Sequence, residues 1–346
     1  MIRARHAIDL GLALIVGASM LAPAAALGAP RTGTILPSLY SMYAMVVDDA
    51  HQHVFVTGSG SNSVVDVLNF DGTLDATIQN EPGAAGMALD TSHGRLYVAL
   101  QGQGHISVID TTVDPPVERK SIPVGVASPL MGPIAIAHKR LWFSYGSCAQ
   151  SGGVASVQRG TGRVRTYGGQ GLSGDYCPML NTSPVDPNLL IEWDAGLTPA
   201  TLNRFDLSVN PPKLMQSAWV GGNLHEIAFS PDASVFYTAA GGPEEIDTYL
   251  TATLQQIGPT CAGSYPPDAV ALSADGRHLV AGFPASEPSI STYHLNATRC
   301  AIRQRFDVGS SWVYPTGVAT SAGFQHIFVT TGWLDDSVTF TVLTPR

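Results

Sequence analysis

An all-β chain assembled from repeats is what this sequence predicts, and three observations predict it. The first is the stretch Gly86–Thr111, GMALDTSHGRLYVALQGQGHISVIDT. It holds three short apolar runs, Met87–Leu89, Leu96–Val98 and Ile106–Ile109, separated by a polar SHGR turn and a glycine-rich loop. Runs this short, rich in β-branched and aromatic residues and bounded by Gly, Ser and Asp, read as strands. The second is recurrence. The middle of the second run has equivalents at Phe55, Tyr97, Trp142, Leu190, Phe236, Leu279 and Phe328, spaced 42, 45, 48, 46, 43 and 49 residues apart. The third is an independent register from the third run: Val64, Ile106, Val154, Leu202, Ile246, Ile290 and Val338, spaced 42, 48, 48, 44, 44 and 48. The first run adds Val46, Ala88, Ala135, Ala228, Ala271 and Ala319, with a poorer member near Leu180. Copies of about 45 residues with about four strands each are the signature of a β-propeller, here with seven blades.

Repetition follows from burial. A lone four-stranded sheet cannot cover both its faces, whereas blades packed face to face in a closed ring cover all of them. With strands lettered A to D from the central channel outwards, blade 1 reads AMVVDD, HVFVTG, SVVDVL and LDATI. Blade 2 is the opening repeat plus VERKSI. Blade 3 reads PIAIA, RLWFSY, GVASVQ and RVRTY, and blade 4, the most divergent, reads CPMLN, NLLIEW, TLNRFDL and KLMQSA. Blade 5 reads EIAFS, VFYTAA, EIDTYL and a D strand near LQQI. Blade 6 reads AVALS, RHLVAG, SISTYHL and AIRQRF. Blade 7 has GVATS, HIFVTT and SVTFTVL before the chain stops. Blade 7 thus lacks a fourth strand, and Thr32–Leu36 has nothing else to pair with. The N-terminal strand is expected to complete the last blade beside Ser337–Leu343 and close the ring. Up-and-down order puts A–B and C–D turns on one face, and B–C loops and D-to-A connections on the other.

One domain spanning residues 30–346 accounts for nearly all of the 346 residues. Residues 1–29 differ: Arg3, Arg5 and His6 precede an apolar run, Leu10–Leu21, and then APAAALGA. That order of charged, apolar and small residues is a secretory signal peptide, and the apolar run is short for a membrane span. The expected location is secreted, extracellular or periplasmic, as a monomer with no membrane span once the signal is cleaved. Of 18 basic and 27 acidic residues, removal of Arg3, Arg5 and Asp9 leaves 16 and 26, a net charge near −10. Nucleic acid is excluded as a partner, because phosphate binding draws on clustered Lys and Arg.

The four cysteines, Cys148, Cys177, Cys261 and Cys300, are even in number and follow a signal peptide, so two disulfides are expected. Cys148 follows strand B of blade 3, and Cys177 precedes strand A of blade 4, on one face of neighbouring blades. Their pairing leaves Cys261 to Cys300. That second pair stays open, because Cys261 falls near the loop face and Cys300 near the opposite one.

The texts LYVALQGQGHISVIDTT, IAFSPDASVFYTAA and YPPDAVALSADGRHLV resemble the YVTN-type β-propeller repeats of bacterial secreted and surface proteins, over roughly Arg31 to Leu343. The nearest match to the tetrapeptide itself is Tyr97–Leu100, TyrValAlaLeu. The resemblance implies the seven-bladed fold. Relatives of the class include cell-surface binding proteins, lactonase-like proteins, streptogramin lyases and quinoprotein-like electron carriers.

The irregular sequence lies in the B–C loops and D-to-A connections, which make the channel mouth where propellers commonly bind ligands. Tyr40, Tyr176, Tyr265 and Tyr314 recur just before strand A, with Trp312, Met131 and His225 in similar places. An aromatic ring around a polar mouth suits a small organic molecule, a glycan or a protein segment. The competing reading makes these tyrosines caps on the blade cores, their hydroxyls bonded to the next loop. His225-Glu226 resembles a general acid/base pair, but neighbours on a strand point to opposite faces and should not act together. Asp175, Asp194, Glu244, Glu245, Glu287, Asp335 and Asp336 gather in the same loops without any fixed-spacing Ca²⁺ motif. His51, His53, His93, His138, His278 and His326 fall near the opposite face on separate blades, a poor arrangement for a metal. No metal, cofactor or catalytic residue is expected. The function expected is a secreted binding or interaction module, with a lactonase-like or streptogramin lyase-like enzyme at the same mouth as the alternative.

Overall fold

Alternation along strand B explains the architecture. In blade 1, Val54 and Val56 point one way and Phe55 the other, all three buried. Val54 and Val56 pack with Phe328, Val338 and Phe340 of blade 7. Phe55 packs with Met87, Leu96 and Val98 of blade 2. A strand with a neighbour on each side must be apolar at every position, so these runs show no polar alternation.

The computed structural model describes residues 33–346 except 60–63, 102, 127–132, 148–150, 169–177, 243, 264, 285–287, 297–298, 310–311 and 333–336. The proposed signal segment therefore lies outside the described residues. Among those described, seven four-stranded antiparallel sheets form a seven-bladed β-propeller, without helices. The A strands are Ser41–Asp48, Ala84–Asp90, Ala135–Ala137, Pro178–Thr182, Gly222–Phe229, Ala269–Leu272 and Trp312–Thr320. The seven middle residues of the second run are all buried in B strands. The third-run residues Val64, Ile106, Val154, Leu202, Ile246, Ile290 and Val338 are buried as well.

The core is correspondingly seven clusters, one between each pair of adjacent blades. The cluster between blades 7 and 1 closes the ring. The N-terminal strand Thr34–Leu36 pairs with the last strand, Val338–Leu343, in the register Thr34–Phe340, Ile35–Thr339 and Leu36–Val338. Leu36 and Leu39 are fully buried in that cluster. The expected closure is therefore observed.

The A–B turns of blades 5 and 6 use ordinary turn chemistry. Asp232 Oδ1 accepts from the Ser230 hydroxyl at 2.7 Å and the Ser234 N–H at 3.0 Å. Asp275 does the same for Ser273 and Arg277. Local bonds of this kind fix the tight reversal between strands.

Cys261 and Cys300 form a disulfide, with Cα atoms 5.2 Å apart. They lie on the outer strands of blades 5 and 6, Gln256–Ala262 and Arg299–Phe306. Cys261 stands opposite Ile246 and Cys300 opposite Leu295, at opposite ends of their strands. Strand-to-strand twist of about 20–25° accumulates across four strands. The outer strand is then steeply inclined, and the upper end of one leans over the lower end of the next. Cys148 and Cys177 lie outside the described residues.

Candidate functional site

The inner strands make the channel, and an inner edge poses a problem of its own. Its outward N–H and C=O groups face no further strand. Side chains from the neighbouring blade meet several of them. Asn181 of blade 4 donates to the Ile227 carbonyl of blade 5 at 3.0 Å, and Thr182 to the Ile136 carbonyl at 3.4 Å. The Glu226 carboxyl accepts the Val270 N–H of blade 6 at 2.9 Å. Thr320 of blade 7 donates to the Leu272 carbonyl at 3.3 Å.

Several A strands carry β-bulges. Register shifts fall between Met42 and Ala44, Ala84 and Met87, Leu224 and Glu226, and Val313 and Val318. The last is the widest, and Gly317 permits it: a Cβ there would stand 2.6 Å from the Tyr314 carbonyl oxygen. A bulge adds a residue to one strand and re-aims its side chains. This corrects the expectation about His225 and Glu226. The extra residue at His225 breaks the two-residue alternation: both side chains turn towards blade 6, His225 to Asp268 and Glu226 to the Val270 N–H, and both residues border the same cavity.

That cavity occupies about 450 Å³ of the central channel. Its wall is about equally polar and apolar, with Met45, Met87, Met179 and Trp193 among its larger side chains, and Tyr43 and Thr316 come from the bulges of blades 1 and 7. Burial, opposed only by the Val270 hydrogen bond, pushes the Glu226 carboxyl up to about 8. The carboxyl is enclosed by protein, although the residue as a whole keeps some exposed surface on the cavity wall. His225 Nδ1 lies 2.8 Å from Asp268 Oδ1, in the connection leading to blade 6. The Asn223 amide stands 2.5 Å from His225 Nε2 and donates to it, which leaves the ring proton on Nδ1 facing the carboxylate. Nε2 is thus held by the Asn223 amide, while Nδ1 lies close to the Asp268 carboxylate without a hydrogen bond of good geometry.

The expected aromatic residues divide. Tyr40, Tyr265 and Trp312 are about half exposed, at 49%, 50% and 46%; the first two lie in the connections leading into blades 1 and 6, and Trp312 opens strand A of blade 7. They share one face on three consecutive blades. Tyr314 packs against the closing core cluster, and its hydroxyl donates to the Tyr40 carbonyl at 3.5 Å, a bond from blade 7 to the loop of blade 1. Tyr314 therefore fits the capping reading. Met131 and Tyr176 lie outside the described residues, as do Asp175, Glu287, Asp335 and Asp336. Sequence reasoning missed Tyr43, Asn223, Asp268 and the channel methionines. Tyr43 carries the one available signal, a second aromatic three residues after Tyr40 and next to the predicted strand.

No protein-family model matches this sequence, and no curated protein matches it. Solved structures do. Hydrazine synthase of Kuenenia stuttgartiensis is similar at TM-score 0.69 and 14% identity, over 93% of this chain and 99% of that one. A chain in a crystal structure of the mitotic checkpoint complex is similar at TM-score 0.69 and 14% identity, over 98% and 99%. Identity this low carries the fold alone. The class so defined is the seven-bladed β-propeller. Among the described residues, no helix is long and apolar enough to cross a membrane.

Proposed function

We propose that this chain is a secreted binding module of the YVTN-like repeat class of bacterial secreted and surface proteins. A signal peptide over 1–29 precedes a single propeller domain over 30–346. Its ligand, a small organic molecule or glycan, sits at the channel mouth made by the B–C loops and D-to-A connections. Tyr40, Tyr265 and Trp312 supply flat apolar contact there. The carrying observation is the state of the channel's polar groups. His225 Nε2 accepts from the Asn223 amide, its Nδ1 lies 2.8 Å from Asp268 Oδ1, and Glu226 is bonded to the Val270 N–H, so both side chains are turned towards protein groups of blades 5 and 6. Tyr40, Tyr265 and Trp312, on blades 1, 6 and 7, are half exposed and present ring surface to a ligand. The disulfide between outer strands agrees with an oxidising compartment.

A second reading has one observation in its favour. A carboxyl raised to about 8 by burial beside the channel keeps its proton at neutral pH, as the acid of a lactonase-like or lyase-like enzyme must. One screen separates the two. The purified protein is assayed against glycan and lactone panels for both binding and turnover. The binding reading expects a ligand that is not consumed, with affinity reduced at least about tenfold by Tyr265→Ala or Trp312→Ala at unchanged melting temperature. Turnover abolished by Glu226→Gln supports the enzyme instead. A ligand indifferent to both aromatic substitutions places the site elsewhere.

A further inference from the structure

A buried histidine without a hydrogen bond faces two carboxylates on the turn side of the molecule. His53 opens strand B of blade 1, His53–Ser59, just after the A–B turn. Asp75 lies at the start of the outer strand of the same blade, Leu74–Ile78. Asp114 comes from blade 2, in the connection between strands His105–Asp110 and Val117–Pro123. One donor atom from each of the three lies within 4.8 Å of the others.

The side chain of His53 is 7% exposed, and Nδ1 has no hydrogen-bond partner among the described residues. Nε2 stands 3.8 Å from Asp75 Oδ2, too far for a hydrogen bond. The ring meets Phe55 edge-on. Nε2 therefore faces the carboxylates without a hydrogen bond of its own, on a side chain that is more than nine-tenths buried. Neither Asp75 nor Asp114 forms an ion pair with Lys or Arg among the described residues. Two uncompensated carboxylates beside a buried imidazole leave the group short of positive charge.

We propose that His53, Asp75 and Asp114 bind one divalent transition cation, Zn²⁺ in the first instance, which ties blade 1 to blade 2. Donors held at about 2.0–2.2 Å around a tetrahedral ion stand roughly 3.4 Å from one another. The 3.8 Å gap between Nε2 and Oδ2 is close to that spacing, and donors within 4.8 Å of one another reach it when the exposed Asp114 and Asp75 carboxylates draw in by about an ångström. An imidazole nitrogen disfavours Mg²⁺ and Ca²⁺, which take oxygen, and the absence of a thiolate from the set disfavours Cu⁺. Three protein donors leave a fourth position for water. The two carboxylates reach solvent from the blade rim, so the ion has a path in. The site lies on the face opposite the channel mouth, and its role is to fix the seam between two blades.

The experiment uses the purified full-length chain, stripped with a chelator and titrated with ZnCl₂. It follows bound metal per chain and melting temperature together, for the parent, Asp75→Asn, Asp114→Asn and His53→Gln. The two aspartates are solvent-facing, so their variants fold even where His53→Gln does not. The expected result is one zinc per parent chain, a melting temperature that rises with zinc, and affinity weakened at least about tenfold in each aspartate variant. Uptake that is equal in the parent and both aspartate variants would overturn the proposal. So would a parent that takes up no zinc, which leaves His53 as a charge partner of the two carboxylates.

Discussion

Replacing Glu226 with glutamine should remove a large part of the pH dependence of stability. Burial raises this carboxyl from its ordinary 4.5 to about 8 in the folded chain. The unfolded chain gives up the proton near 4.5 and the folded chain keeps it to about 8. Between these values the folded state binds more protons, so stability falls as pH rises. The contribution is fully present below 4.5 and is lost through pH 8. Integrating the two titrations from pH 5 to pH 8 gives a loss of about 3–4 kcal/mol from this one group. Glutamine keeps a carbonyl oxygen for the Val270 N–H and cannot ionise. At pH 5 the two proteins should therefore be nearly equal in stability, and at pH 8 the variant should be the more stable. Glu192 in blade 4 is also raised to about 8 and Glu81 to about 7, both chiefly by burial. Their slopes are common to parent and variant and cancel in the difference. Urea unfolding at pH 5, 6.5 and 8 measures it. Parallel stability curves for parent and variant would refute the reasoning, because they would mean that Glu226 titrates alike in both states.

Two further predictions concern the ring. Deleting residues 33–36 removes the fourth strand of blade 7 and uncovers the closing cluster, so the melting temperature should drop sharply. Leu36→Ala alone should cost about 2–5 kcal/mol in chemical unfolding, as expected of a fully buried leucine. A melting temperature within a degree or two of the parent's after the deletion would contradict strand closure. The Cys261–Cys300 bond spans 39 residues. Loop-closure entropy for that length is worth about 4 kcal/mol, the loss expected in Cys261→Ser/Cys300→Ser by the same assay. Peptide mapping without reduction should show this cross-link together with a Cys148–Cys177 peptide; a 148–261 or 177–300 peptide would contradict the blade registration.

Two sequence registers, Phe55 to Phe328 and Val64 to Val338, determined the number of blades, the strand order and the use of the N-terminal strand. That was legible because each blade meets the same burial problem and solves it with the same apolar text. The half-exposed positions of Tyr40, Tyr265 and Trp312 were legible for a related reason: each falls at or shortly before the start of strand A. Three things were decided only in the tertiary structure. The bulge at His225 turned two neighbours that alternation would separate towards the same blade, and a bulge depends on the partner strand's register, which no single strand spells. The pairing of Cys261 with Cys300 depended on accumulated twist, which brings together ends of strands that a flat blade keeps apart. His53, Asp75 and Asp114 converge across two blades at sequence separations of 22 and 39 residues, with no motif to mark them. Repetition writes the scaffold into the chain, whereas the places where blades touch and depart from their repeat are set by geometry between segments far apart in sequence.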